Sequence, residues 1–114
     1  MRNSAFKKGR AGEEAIVKIL QNRNLTILTR NFKSRYGEID ILAYRESIDT
    51  LFLFEVKTIN SFEFESFPIS GRQLSRIYKT LDYWLLTKTE YSDAGLLIFG
   101  AVISKNRIKF IKFE

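Results

Sequence analysis

The chain has 114 residues, 45% of them hydrophobic and 14% aromatic, a composition that predicts one globular domain over residues 1–114. It contains no Cys and no His, which excludes disulfide scaffolds, thiolate or imidazole metal sites, and catalysis by Ser–His or Cys–His pairs. Nineteen Lys and Arg residues against thirteen Asp and Glu give a net charge of +6, which favours a polyanionic partner.

Periodicity along the chain predicts two helices and five strands. Apolar residues at helical spacing predict helices over residues 7–23 and 70–87, the second with Ser70 as its N-cap. Runs rich in β-branched and aromatic residues predict strands at 25–32, 38–44, 51–58, 96–104 and 107–113, the last two joined by a turn at Lys105 and Asn106. The order α-β-β-β-α-β-β predicts a layered α/β or α+β domain, with helices packed on one sheet.

Insertion into a membrane is not expected. The most apolar run, residues 94–103, is ten residues long, whereas a helix needs about 20 residues to span a bilayer. The basic N-terminus is not followed by the apolar stretch of a signal peptide. We therefore expect a cytoplasmic protein without a membrane partner.

The second predicted strand carries two acids in line with apolar neighbours. Alternation of side chains puts Glu38 and Asp40 on one face and Ile39 with Ile41 on the other. An ionisable residue in an otherwise apolar strand is costly to bury unless it has a partner or an ion. The acids of this strand are therefore candidates for a functional site.

The next strand places a third acid and a lysine, Glu55 and Lys57, on one face. An antiparallel hairpin with a loop at 46–49 would set Asp40 opposite Glu55 and Glu38 opposite Lys57. Facing carboxylates repel each other unless a cation lies between them, and oxygen ligands suit Mg²⁺ or Mn²⁺. A bulge or a slip of one residue would instead move every side chain to the other face. A simple ion pair within the strand could also explain Glu55 and Lys57.

Glu13 supplies a third candidate acid, on the first helix. Its position on the helical wheel borders the apolar stripe, whereas Glu14 points to solvent. An acid in the first turn could also act only by complementing the helix dipole.

Several short motifs together resemble one family. They are Gly9, Gly12-Glu13, Arg30-Asn31-Phe32, Gly37-Glu38-Ile39-Asp40 and Phe54-Glu55-Val56-Lys57. This set resembles the small bacterial YraN-like family (UPF0102), which is similar to archaeal Holliday junction resolvases in the PD-(D/E)XK superfamily of nucleases. The resemblance implies an α/β fold with a restriction-endonuclease-like α-β-β-β-α-β core, that is, one mixed central sheet with flanking helices.

The resemblance also implies roles for individual residues. Glu13, Asp40 and Glu55 match the acids that bind the metal, Mg²⁺ or Mn²⁺, and Lys57 matches the catalytic lysine. Gln73 stands where the family often has Lys and is expected to face the site. From the hairpin register rather than from the resemblance, Glu38 is expected to position Lys57 or to add an outer-sphere acid. The chain departs from the family pattern in having Phe32 in place of Trp and no basic residue directly after Lys57.

These expectations describe a metal-dependent endonuclease that hydrolyses phosphodiester bonds in branched or single-stranded DNA. Basic residues near the acids and on the second helix are expected to bind the nucleic acid, DNA rather than RNA: Lys7, Lys8, Arg10, Arg30, Lys33, Arg35, Arg72 and Arg76. The resemblance to dimeric resolvases makes a homodimer an expected assembly. The alternatives are a nucleic-acid-binding module of the same fold without its own activity, and a protein that docks on an acidic partner or surface.

Overall fold

The computed structural model describes residues 2–59, 69–105 and 107–113, and side chains of the first helix from residue 11 onward. The predicted nucleic-acid-binding side chains of Lys7, Lys8 and Arg10, and Asn106 of the predicted turn, lie outside the described part. Within these ranges, no helix combines the length and the apolar character needed to cross a membrane.

The elements follow the predicted order. They are helix α1 (Arg2–Asn22), strands β1 (Thr26–Ser34), β2 (Gly37–Arg45) and β3 (Thr50–Thr58), helix α2 (Gly71–Leu85), and strands β4 (Gly95–Ser104) and β5 (Arg107–Lys112). The Ser70 hydroxyl accepts a 3.1 Å hydrogen bond from the backbone N–H of Gln73, which confirms the predicted N-cap of α2.

The strands form one mixed sheet in the order β1-β2-β3-β4-β5. β3 and β4 are parallel, because α2 lies between them in the chain, and the other neighbouring strands are antiparallel. This architecture confirms the predicted α/β fold with a mixed central sheet and the α-β-β-β-α-β core.

Each face of the sheet is covered by one helix. Ile16 and Leu20 of α1 pack with Phe54 on one face, and Ile77 and Trp84 of α2 pack with the central strands on the other. Burial of each such side chain contributes roughly 1.5–3 kcal/mol to folding. The result is a three-layer arrangement in which β2 and β3 are buried on both sides.

The β2–β3 hairpin has the predicted register. Arg45 faces Thr50 and Ile41 faces Phe54. The loop is a 3₁₀ turn over Glu46–Ile48 followed by Asp49, whose φ of 45° is left-handed. The regular ladder ends at the Ile41–Phe54 pair, so it stops one step before Asp40 and Glu55.

The predicted alternation of β2 is wrong at Ile39. Ile39 and Ile41 are predicted to share a face, but Ile41 packs in the α1-side core and Ile39 packs with Phe32 in the α2-side core. The break coincides with Asn31 on the neighbouring strand, whose φ of 52° is left-handed, a conformation that Asn tolerates better than most residues. Asp40, between Ile39 and Ile41, therefore lies at the point where the alternation of side chains along β2 is interrupted.

The turn between β1 and β2 is fastened to α2. The Ser34 hydroxyl lies 3.2 Å from Thr80 Oγ1 and accepts a hydrogen bond from the Tyr36 N–H at 3.0 Å. Thr80 is fully buried, and its hydroxyl donates to the Arg76 carbonyl. Gly37 has a φ of 154°, which favours glycine, and packs directly against α2. These contacts fix where β2 begins.

Candidate functional site

Asp40 and Glu55 come together where the β2–β3 ladder ends. The backbone N–H of Val56 donates a 2.8 Å hydrogen bond to Asp40 Oδ2, so a side chain replaces the next bond between the strands. Glu55 Oε1 is buried and has no hydrogen-bond partner in the part of the chain that the structure describes. Two carboxyl groups thus share a poorly solvated position, as the hairpin register predicts.

Burial changes the acidity of both groups. It is the main cause that raises the pKa of Asp40 to about 6, with the charges of Glu38 and Glu13 acting in the same direction and the Val56 N–H opposing them. Burial also raises the pKa of Glu55 to about 8, followed by the charge of Asp40. The backbone N–H of Asp40 and the charge of Lys57 partly oppose this rise. Without a compensating cation, Glu55 is therefore largely protonated at neutral pH.

Glu13 lies at the edge of the core, as predicted. Its side chain is 16% exposed, against 55% for Glu14. Arg30 donates to Glu13 Oε1 from Nε at 3.3 Å and from Nη2 at 3.1 Å, and Asn31 Nδ2 donates to the same oxygen at 3.1 Å. Arg30 also pairs with Glu14 at 2.7 Å. Two neighbouring residues of β1 therefore hold the Glu13 carboxylate.

The structure brings the three predicted metal-binding acids together only in part. The charge of Glu13 acts on Asp40, which places the two within electrostatic range. Yet among the described residues, no three acidic side chains form a group that could hold a metal ion. The close pair is Asp40 and Glu55, and Glu13 faces Arg30 instead.

Of the other predicted site residues, Glu38 and Lys57 lie within electrostatic range of this pair. The charge of Lys57 lowers the pKa of Glu55, so its ammonium group acts on that carboxyl electrostatically. The predicted Glu38–Lys57 pairing falls beyond the end of the β2–β3 ladder, and Glu38 instead faces Lys33 across the β1–β2 pair. Gln73 is half-buried in the first turn of α2. Its predicted contact with the site stays a prediction.

The predicted nucleic-acid-binding residues separate into two groups. Arg30 is held by the two glutamates of α1, which leaves it less suited to phosphate. Lys33, Arg35, Arg72 and Arg76 are exposed. The exposed group remains available to a polyanion.

Asn31 is the residue whose role the sequence did not reveal. It is part of a motif, but nothing in the spacing indicates that it breaks the alternation of β1 and donates to Glu13. The available signal is an Asn in the middle of a β-rich run, since Asn is both uncommon in strands and tolerant of a left-handed backbone.

A divalent cation fits the chemistry of the acid pair. Among the described residues, Glu55 Oε1 is a buried acceptor without a partner, and burial raises the pKa values of both carboxyl groups. Hard carboxylate oxygens are the ligands that Mg²⁺ and Mn²⁺ prefer. The residues present are thus compatible with the predicted metal.

Comparison with known proteins identifies the family. The profile described as "Uncharacterised protein family UPF0102" matches residues 12–111. A UPF0102 protein of Campylobacter hominis is 35% identical over 107 residues, covering 94% of this chain and 92% of its own length. Another, of Rhodopseudomonas palustris, is 30% identical and covers 92% of this chain and 79% of its own length. A third, of Campylobacter jejuni, is 38% identical with 78% of each chain covered. The chain belongs to the UPF0102 family.

Proposed function

We propose that this protein is a divalent-metal-dependent endonuclease that hydrolyses phosphodiester bonds in branched or single-stranded DNA. The observation that carries the proposal is the buried Asp40–Glu55 pair at the end of a strand ladder in a basic protein, with one carboxyl oxygen that has no partner among the described residues. Burying two carboxyl groups costs folding free energy unless each one is neutralised, hydrogen-bonded or bound to a cation. We further propose a homodimer acting on DNA rather than RNA in the cytoplasm.

The acids would hold the ion. Asp40 and Glu55 would be the direct ligands of Mg²⁺ or Mn²⁺, and Glu13 would join them by exchanging its contact with Arg30. When bound, the ion supplies Lewis-acid polarisation of a phosphoryl oxygen. The hydrogen bond from Val56 holds Asp40 in place for this role.

Lys57 would act on the phosphate itself. Its ammonium group lies near enough to Glu55 to affect that carboxyl electrostatically, so a phosphate at the acids would also meet a cation from β3. There it would orient the nucleophile and stabilise the negative charge that gathers on the phosphoryl oxygens in the transition state. Exposed cations such as Lys33 and Arg76 would hold the flanking phosphates.

The test is cleavage of end-labelled flap, four-way and single-stranded DNA in Mg²⁺ or Mn²⁺. We expect cleavage by the native protein and its loss in Asp40→Asn, Glu55→Gln and Lys57→Ala. Glu90→Gln, which changes an exposed acid in a 3₁₀ turn after α2, is the matched control and keeps full activity. Equal nicking by all of these proteins would identify a contaminant and refute the assignment.

A second function is favoured by the position of Glu13. Because Arg30 and Asn31 hold this carboxylate, Glu13 does not complete a three-acid metal site among the described residues, which favours a nucleic-acid-binding module of the same fold without its own activity. Metal titration separates the two functions. A catalytic site is stabilised against unfolding by Mn²⁺ in a manner that depends on Asp40 and Glu55, whereas a pure binding module is not.

A further inference from the structure

A groove lies between the β1–β2 turn and the second half of α2. It has a volume of about 450 Å³ and is lined by Tyr36, Lys79, Asp82, Tyr83 and Leu86. Lys79, Asp82 and Tyr83 of α2 and Leu86 directly after it are spaced i, i+3, i+4 and i+7, so they form a stripe along one side of the helix and its end. The core-facing stripe of this helix is a different one, formed by residues such as Ile77 and Trp84. Of the groove stripe, Tyr83 also contacts the sheet, through Phe32 of β1.

Large apolar surface remains exposed in this groove. Tyr83 is 51% exposed and Leu86 is 73% exposed. The Tyr83 ring packs against Phe32, with centroids 6.2 Å apart and an angle of 33° between the planes. Phe32 thus supports one side of Tyr83, while the exposed remainder of the ring lies in the groove.

The opposite wall presents a second aromatic ring that is also held in place. The guanidinium of Arg35 lies 5.0 Å from the centroid of the Tyr36 ring, and its Nη2 donates a 2.8 Å hydrogen bond to the Tyr36 hydroxyl. The N–H of Tyr36 is fixed by Ser34, which in turn contacts Thr80 of α2. Both aromatic walls are therefore preorganised by the fold.

Basic side chains extend this stripe of residues towards the N-terminal end of α2. Arg72, Arg76 and Lys79 precede Tyr83 at spacings of four, three and four residues, so they lie along the same side of the helix, and all three are exposed. A row of cations that leads to exposed aromatic rings is the arrangement that binds unpaired nucleic acid, because phosphates meet the charges and bases stack on the rings. Asp82, the acid in the lining, can accept hydrogen bonds from the N–H groups of a base.

The groove is also close to the acid pair along the chain. Tyr36 precedes β2, and Asp40 is the fourth residue of that strand. Four residues of extended chain span about 13 Å. A strand of nucleic acid with a base in the groove can therefore reach the acids within a few nucleotides.

We propose that this groove binds unpaired nucleotides, with bases stacked on Tyr36 and Tyr83 and the backbone held by Arg72, Arg76 and Lys79. The inference rests on the proposed nuclease function and deepens it, since it names a strand with accessible bases as the substrate class. Fully paired duplex cannot offer its base faces to the rings.

The experiment measures binding of the full chain to fluorescein-labelled twelve-nucleotide probes by anisotropy, in EDTA so that nothing is cleaved. The probes are a single strand of DNA, the same sequence as RNA, its DNA duplex, and an abasic strand that keeps the phosphates but lacks the central bases. We expect the single strand to bind more tightly than the abasic strand and the duplex. Tighter binding of the DNA strand than of the RNA strand supports DNA as the substrate, and the reverse order contradicts it.

Variants then assign the binding to the groove. Tyr83→Ala should weaken single-strand binding by about 10-fold and remove the advantage over the abasic probe, whereas Tyr83→Phe should bind like the native protein. Tyr78→Ala, at an exposed aromatic residue of α2 outside the groove lining, is the matched control and should bind normally. Substituting Arg72 and Arg76 by Gln should instead weaken all probes and reduce the salt dependence.

The outcomes separate this inference from the nuclease proposal. If the native protein binds the ordinary and the abasic strands equally, the proposal that bases stack in the groove is overturned, even if Tyr83→Ala fails to fold. Undiminished binding by folded Tyr83→Ala overturns it as well, whatever the cleavage assay shows. Binding that depends on the groove residues, together with no metal-dependent cleavage, supports the proposal that the groove binds unpaired nucleotides and refutes the nuclease proposal.

Discussion

The N–H of Val56 donates a hydrogen bond of 2.8 Å to the Oδ2 atom of Asp40, immediately after the last regular pair of the β2–β3 ladder. The Asp40 carboxyl group thus accepts the hydrogen bond that a backbone carbonyl would accept if the ladder continued. This relationship makes Asp40 part of the sheet as well as part of the candidate site. Its replacement should therefore affect folding and acid–base behaviour in separable ways.

Asp40→Asn and Asp40→Ala distinguish these two roles. Asn keeps an oxygen that can accept from Val56, whereas Ala leaves that N–H half-buried without a partner, at a cost of about 1–3 kcal/mol. We expect Asp40→Ala to be the less stable variant by this amount in urea unfolding. Both variants remove the charge of Asp40, so the pKa of Glu55 should fall in each, as measured by NMR titration. An unchanged pKa of Glu55 in both would contradict the proximity of the pair.

The raised pKa of Glu55 predicts a dependence of stability on pH. In an unfolded chain Glu55 loses its proton near its ordinary pKa of 4.5, but in the fold it keeps the proton until about pH 8. The folded state therefore binds more protons in this window, and the contribution of Glu55 to stability falls as the pH rises from about 4.5 to 8. Glu55→Gln removes this contribution.

We therefore expect metal-free Glu55→Gln to match the native protein near pH 4 and to exceed its stability at pH 8 by roughly 1–3 kcal/mol. Urea unfolding in EDTA at several pH values measures the difference. Glu90→Gln, at an exposed acid, should follow the native profile throughout. A Glu55→Gln protein that is less stable at pH 8 than the native one would show that Glu55 is charged and satisfied in the fold.

The left-handed backbone of Asn31 predicts an order of stability among its variants. Asn31→Gly keeps easy access to a φ of 52° and loses the bond to Glu13, whereas Asn31→Ala loses both. A left-handed conformation costs roughly 1–2 kcal/mol for a residue with a Cβ atom. We expect Asn31→Ala to be less stable than Asn31→Gly by about 1 kcal/mol in thermal unfolding. The reverse order of stability would mean that the left-handed backbone at Asn31 does not limit which residues β1 tolerates there.

Gly37 offers a comparison between two glycines. Its φ of 154° is unfavourable for Ala, even though an added Cβ atom would meet the nearest atoms, in Thr80 and Arg76, at ordinary distances of 3.5 and 3.6 Å. Gly37→Ala should cost about 1–3 kcal/mol from backbone strain alone. Gly71→Ala is the control, because open space surrounds that position in the first turn of α2, and it should be neutral or slightly stabilising. If Gly37→Ala and Gly71→Ala are equally stable in urea unfolding, backbone strain at position 37 is refuted.

The sequence predicted the parts of the fold that follow from local chemistry. Apolar periodicity gave the order of elements, the length of the 46–49 loop gave the hairpin register, and Ser70 marked the start of α2. The same register predicted that Asp40 and Glu55 approach each other, because the loop fixes which residues meet across a hairpin, although the regular ladder ends one pair earlier.

What the sequence could not predict depends on contacts between distant residues. Ile39 was assigned to the wrong face because alternation assumes a regular strand, and the left-handed Asn31 belongs to a different strand. The position of Glu13 beside Arg30 is a contact between residues 17 apart in the chain, which helical periodicity does not encode. The aromatic groove likewise requires the β1–β2 turn to meet α2.

The fastened turn at the start of β2 has a consequence for the products of the proposed reaction. Ser34, Gly37 and Thr80 fix the beginning of the strand against α2, and the strand itself fixes how far Asp40 lies from Tyr36. A base seated on Tyr36 would then always place the same phosphate at the acids. Cleavage should therefore release fragments of uniform length, measured from the first unpaired base, whatever their sequence.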